Sequence, residues 1–220
     1  MNTTRQRFVE LCQRIGAKDN QTIGRTINST YDRLVTAYAE SDRYYHNLNH
    51  ISDGLEKLDE VRHLADNPDV LEMAWWWHDV IYDTTSNINE EASAAVANNV
   101  LKTLGLSDNL LSHIELRIHI MQLILATKHI HIPEAEDSRL IVDIDLVSLA
   151  TPPEVFDQNT ANIRKEYSWV PDDSFRIGRA EFFSKLLTSR PSIYLTDYFR
   201  NRYEAQAREN LKRITATLTK

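Results

Sequence analysis

Cysteine is almost absent from this chain of 220 residues, where Cys12 stands alone. A single thiol excludes an internal disulfide and a thiolate zinc site, and it suits a reducing compartment. Glycine and proline are scarce as well, at five and six copies, so few positions break the chain into tight turns. No segment alternates apolar and polar residues for long enough to predict a half-buried strand. Apolar runs of transmembrane length are also missing. The N-terminal stretch MNTTRQRFVELCQRIG sets Phe8, Leu11, Cys12 and Ile15 at helical spacing and lacks the apolar run of a signal peptide. A cytoplasmic protein is the expectation. Positive charge is in deficit: a net charge of -7 argues against a nucleic-acid backbone or an anionic membrane as the main partner. Any phosphate-bearing ligand must then be held by a local group of bases.

What the sequence does contain is helical periodicity. At 42% hydrophobic and 26% charged residues, a chain of this length predicts one compact domain with a sizeable core. Leu34, Val35 and Tyr38 form one apolar stripe, and Leu48, Ile51, Leu55, Leu58 and Val61 form the next, with the polar and aromatic junction ESDRYYHN between them. A third helix is predicted over roughly Val70 to Tyr82. The segment NEEASAAVANNVLKTLG is a fourth, with acids in its first turn and Gly105 at its stop. SDNLLSHIELRIHIMQLILATKH follows, capped by Ser107 or Asp108. The run RLIVDIDLVSLA is strand-like in composition, because Ile141, Val142, Ile144 and Val147 are β-branched, but its helical neighbours predict helix. After the Pro152-Pro153 break come three more amphipathic helices with acids early and bases late. The fold expected is an all-α bundle: one domain over 1–220, with site-bearing helices over about 43–150 and additional C-terminal helices over about 152–217 packed on them.

Chemistry concentrates where polar residues interrupt apolar runs. In WWWHDVIYD, His78 and Asp79 follow Trp75, Trp76 and Trp77, and a carboxylate buried there is costly unless it is paired or metal-bound. Asp143 and Asp145 lie in the same way inside LIVDIDLVSL. A divalent cation needs several N and O ligands from different elements, and His50 in YYHNLNHI supplies an earlier histidine. Asp83, four residues after Asp79, would stand one helical turn on as a base or water-orienting group. Arg43, Lys128, Arg164, Lys165 and Arg179 are the bases available for phosphate, and Lys128 abuts His129 in ATKHIHIP. His46 belongs to the YYHN junction, where an orienting structural role is expected ahead of the alternative that it lines the pocket.

The order His50, His78-Asp79, Asp145 resembles the signature of the HD superfamily of metal-dependent phosphohydrolases. The pieces RYYHNLNHI, WWWHDVIYD, NEEASA, LATKH, DIDLVSL, IRKEY and ARENL, from Arg43 to Leu211, resemble a branch of small HD phosphohydrolases whose substrate is generally unassigned. This resemblance implies an HD-type all-α fold in which His50, His78, Asp79 and Asp145 bind one divalent cation, with Asp143 the alternative to Asp145. A donor set of N and O suits manganese, iron, cobalt, nickel, zinc or magnesium. The activity implied is hydrolysis of a small phosphorylated molecule, a nucleotide among the possibilities, through a metal-activated water. Asp79 and Asp83 would be catalytic, and Arg43, Lys128 and His129 would bind substrate. His119 and His129 bear on a second metal and hence on a di-iron oxygenase, the first rival. A non-catalytic metal and nucleotide sensor is the second, and a purely structural helical module is the third. Neither nucleic acid nor membrane is an expected partner, and the protein is expected as a monomer or homodimer.

Overall fold

The computed structural model describes residues 3–104 and 110–218, and every regular element among them is helical. In chain order these are α1 (Thr3–Arg14), α2 (Gln21–Tyr38), α3 (Leu48–Val61), α4 (Pro68–Trp77), α5 (Asn89–Thr103), α6 (Leu110–Ala126), α7 (Glu136–Leu146), α8 (Pro153–Glu166), α9 (Asp172–Thr188) and α10 (Asp197–Leu218). Short 3₁₀ turns follow α3 (Arg62–Leu64) and α7 (Val147–Ala150). The all-α expectation is met, and the β-branched run after Glu136 is helix. The predicted stop at Gly105 and the predicted caps at Ser107 and Asp108 lie outside the described residues.

The chain divides into two compact units, Met1–Ile141 and Val142–Lys220. The proline pair opens α8, but the division falls earlier, inside α7.

The first unit is built around α4. From Val70 to Trp77 every residue of that helix is buried, and it packs against α1, α3, α5 and α6. A helix apolar on all sides has no face to give to water and therefore takes the centre. Pro68 opens it at a position where a missing N–H costs nothing. The turn leading in is held by Asp137, whose carboxylate accepts the Asp66 and Asn67 N–H groups at 2.8 and 2.9 Å. Glu72 is the polar exception on α4. It is 1% exposed and accepts hydrogen bonds from Arg7 Nε at 2.7 Å, Arg62 Nη1 at 2.9 Å and Arg14 Nη2 at 3.3 Å, the pairing a buried carboxylate requires. Trp76 meets Phe8 and Tyr31 edge-on, with ring centroids 5.5 and 6.1 Å apart. Trp75 lies against α3 at Gly54, where a Cβ would collide with the indole, and its Nε1–H donates to Ile51 O at 2.9 Å.

In the second unit α10 packs against α9 and against the 3₁₀ turn Val147–Ala150. Asn210, fully buried, donates from Nδ2 to Leu149 O and Thr151 O at 2.9 Å each. Two carboxylates organise the loop before α10. Glu204 accepts the N–H groups of Ile193 and Tyr194, and Asp143 accepts those of Leu195 (2.7 Å) and Thr196 (2.8 Å) together with the Thr196 hydroxyl (2.7 Å).

Candidate metal centre

The centre forms where α4 ends. No glycine or proline stops this helix; side chains take its last carbonyls instead. Tyr38 Oη donates to Trp76 O at 3.1 Å, and His78 Nδ1 lies 2.8 Å from Trp75 O. Val80 N–H reaches Trp77 O at 3.2 Å, a tighter turn than the helical one, and Ile81 N–H leaves the helix for Ser93 Oγ at 3.1 Å. The prediction that this helix continues to Tyr82 is therefore corrected: α4 stops at Trp77, and Asp79 stands in the turn that follows.

That turn brings three sequence-predicted residues together. His50, buried on α3, has its Nε2 3.2 Å from His78 Nε2. The Asp79 Oδ2 is 3.2 Å from His78 Nε2 and 3.8 Å from His50 Nε2. A carbonyl only accepts, so His78 Nδ1 donates to Trp75 O, and this contact turns Nε2 towards His50 and Asp79. The ring also stacks on Trp75 at 4.2 Å, which fixes its plane. Burial would raise the Asp79 carboxyl. His78, by charge and hydrogen bond, with His46 and His50 adding, overcomes that penalty and holds it below the ordinary carboxylate range. Two imidazoles and a carboxylate converging in a buried spot are the nitrogen and oxygen donors that a cation needs. The donor set fits a divalent metal ion, and side chains of this kind can hold one.

His46 borders this group more closely than a junction residue would. Its ring stacks on Tyr82 at 4.3 Å, lies 5.7 Å from that of His50, and meets Tyr45 edge-on. Asn47 folds the turn that carries it, accepting Asn49 N–H at 2.9 Å and donating to Tyr44 O at 3.1 Å. The run of aromatic and amide residues around His46 was the available signal for this.

Asp83 is not one helical turn from Asp79, because no helix joins them. It is exposed, and its Oδ1 accepts the Thr85 N–H at 2.8 Å and the Thr85 hydroxyl at 2.7 Å, an Asx turn that lowers its pKa chiefly through the hydroxyl bond. Arg43 is buried, and its nitrogens meet Glu40 Oε2 (2.9 Å), Asp79 O (2.6 Å) and Val80 O (3.0 Å). Its guanidinium is committed to the protein rather than presented to a phosphate. Lys128 Nζ donates to Asn87 O at 2.7 Å and to Glu91 Oε2 at 2.6 Å, tying the end of α6 to the start of α5. His129 follows in the left-handed conformation, at φ 56°. His119 Nε2 lies 3.8 Å from Asp137 Oδ2, in the cluster that leads into α4. Arg164 donates to Tyr167 O at the end of its own helix, and to Val170 O and Asp172 Oδ1, tying α8 to the start of α9.

Asp143 and Asp145 belong to the second unit. Asp143 is fully buried with both oxygens on the Leu195–Thr196 loop; burial dominates and pushes its carboxyl up to about 6 despite those bonds. Asp145 is half-buried near the end of α7.

Comparison with protein-family models, with curated proteins and with solved structures gives no match. Among the described residues no helix is long and apolar enough to cross a membrane.

Proposed function

We propose that this protein is a metal-dependent phosphohydrolase of the HD type, acting on a small phosphorylated substrate, with nucleotides the first class to try. The observation that carries this reading is the meeting of His50 Nε2, His78 Nε2 and the Asp79 carboxylate within 3.8 Å, in the order and spacing of the motifs that resemble the HD signature. The cation held there is divalent, with manganese, iron, cobalt, nickel, zinc and magnesium all compatible with N and O donors. The resemblance to the HD signature gives Asp145 as the last ligand. Of the two acids in DIDL, Asp143 is spent on the loop before α10, which leaves the second carboxylate to Asp145.

A bound cation of this class supplies Lewis acidity towards a water and a phosphoryl oxygen. The chain's own residues prepare the place for it. His78 donates from Nδ1 to Trp75 O, which directs its Nε2 towards His50 and Asp79. Asp79 stays ionised beside it. Trp75, Tyr45 and Tyr82 form aromatic surroundings for the imidazoles of His50, His78 and His46, and they limit the water reaching them. The protein expected from this is a hydrolase whose substrate brings the negative charge.

The test is phosphate release from a panel of nucleotides and sugar phosphates by protein loaded in turn with each metal. Release of phosphate from at least one substrate, abolished by a chelator, is expected. Metal-loaded protein that binds nucleotide without turning it over would replace this reading with a sensor. Stoichiometric iron with a visible charge-transfer band and no phosphate release would replace it with an oxygenase.

A further inference from the structure

The peptide of Asp79 is gripped on both sides by one corner of the fold. Tyr38, the last residue of α2 and 1% exposed, donates its hydroxyl hydrogen to Trp76 O at 3.1 Å, and the Asp79 backbone N–H is directed at the Tyr38 hydroxyl oxygen. Five residues on, the Arg43 guanidinium takes the other side of the same residue, through Asp79 O at 2.6 Å, and reaches the next carbonyl, Val80 O, at 3.0 Å. The two grips are one assembly: the Arg43 guanidinium carbon lies 5.3 Å from the Tyr38 ring centroid and 5.5 Å from that of Tyr82, and its Nε is held by Glu40.

A residue whose N–H and C=O are both fixed has little freedom left in φ and ψ, so the direction of its side chain is set before any ligand arrives. At the end of a helix with no capping glycine or proline, nothing local would supply that constraint. Partners that orient metal-binding side chains contribute strongly to metal affinity, and arginine suits the task because its planar fork meets two carbonyls at once.

We propose that Tyr38 and Arg43 are positioning residues that hold the Asp79 carboxylate against His50 and His78, making them determinants of metal affinity rather than contacts to substrate. The inference rests on the reading of His50, His78 and Asp79 as metal ligands. It assigns Arg43 a different task from the phosphate contact expected from sequence, and it gives Tyr38 a role that its place in an apolar stripe did not disclose.

The experiment titrates Co²⁺ alone into metal-free wild type and into Tyr38→Phe and Arg43→Lys, reading affinity by calorimetry and ligand geometry by the visible d–d bands of cobalt. Tyr38→Phe keeps the buried ring and loses only the hydroxyl; Arg43→Lys keeps the charge and loses the fork. Tyr31→Phe serves as the control, since it removes a hydroxyl from the same helix at the Thr4 contact, away from this turn. Each variant is first confirmed folded by far-ultraviolet circular dichroism, and titrations run well below every melting temperature. Co²⁺ affinity roughly 10- to 100-fold weaker in Tyr38→Phe and Arg43→Lys, with altered bands, and unchanged in Tyr31→Phe, is the expected result. Wild-type affinity and spectrum in both corner variants would overturn the positioning role while leaving the metal site standing. Equal weakening in Tyr31→Phe would overturn it too, by reducing the effect to general stability. No Co²⁺ bound by wild type would instead remove the metal reading on which the inference rests.

Discussion

Cys12 shows what a single buried side chain contributes here. It is fully buried on α1, and burial pushes its thiol up to about 12 from an ordinary value of 9.0. A raised thiol pKa means the folded state resists forming the thiolate. The stability drawn from that protonated thiol is complete below pH 9.0 and is lost as the pH climbs towards about 12. At pH 8 the native protein is expected to react with a thiol-specific disulfide reagent at least ~100-fold more slowly than the urea-unfolded chain, because the reactive thiolate is suppressed and access is closed. Labelling of native protein at the unfolded rate would place Cys12 at the surface. The sequence was informative at this scale where a polar residue interrupted an apolar run: the convergence of His50, His78 and Asp79 could be anticipated because burying those groups singly is costly. It was uninformative where a charged residue's partner is set only by folding. Asp83 is tied to Thr85, Lys128 to Glu91 and Asn87, and Arg43 to the carbonyls of Asp79 and Val80, and nothing in their spacing distinguishes those bonds from contacts to phosphate.

Among the elements, α3 and α4 carry the centre, and their closeness depends on Gly54. The Trp75 indole occupies the space that a side chain at Gly54 would need, and it both bonds to Ile51 O and stacks on His78. Gly54→Ala is expected to cost about 1–3 kcal/mol by forcing the helices apart, despite the better helix propensity of alanine. In thermal unfolding that corresponds to a melting temperature lower by roughly 3–10 °C for a protein of this size. A melting temperature equal to or above that of wild type would mean that Trp75 yields without cost and that α3 and α4 are less tightly coupled. Helical periodicity disclosed the elements themselves, since stripes such as Leu48, Ile51, Leu55, Leu58 and Val61 match α3 throughout. It did not disclose the end of α4. The bonds that stop this helix come from Tyr38, His78 and Ser93, two of them distant in sequence, while the residues past Trp77 remain apolar enough to continue the pattern.

At the scale of the molecule, two compact helical units meet along the sequence inside α7, and each has its own buried polar framework: Glu72 with three arginines in the first, Asp143, Glu204 and Asn210 in the second. That division was not legible from the chain, because no linker, composition change or glycine-rich stretch marks it; an amphipathic helix crosses it without interruption. The proposed activity centres on His50, His78 and Asp79 in the first of them. The central claim is that these side chains hold a metal. The measurement that tests it most directly is elemental analysis of the protein purified without chelator, beside Asp79→Ala and Asp83→Ala. About one equivalent of a transition metal in wild type and in Asp83→Ala, and none in Asp79→Ala, is the predicted result. Wild type that stays metal-free after reconstitution with manganese, iron, cobalt, nickel and zinc, or Asp79→Ala that keeps its full complement, would contradict it.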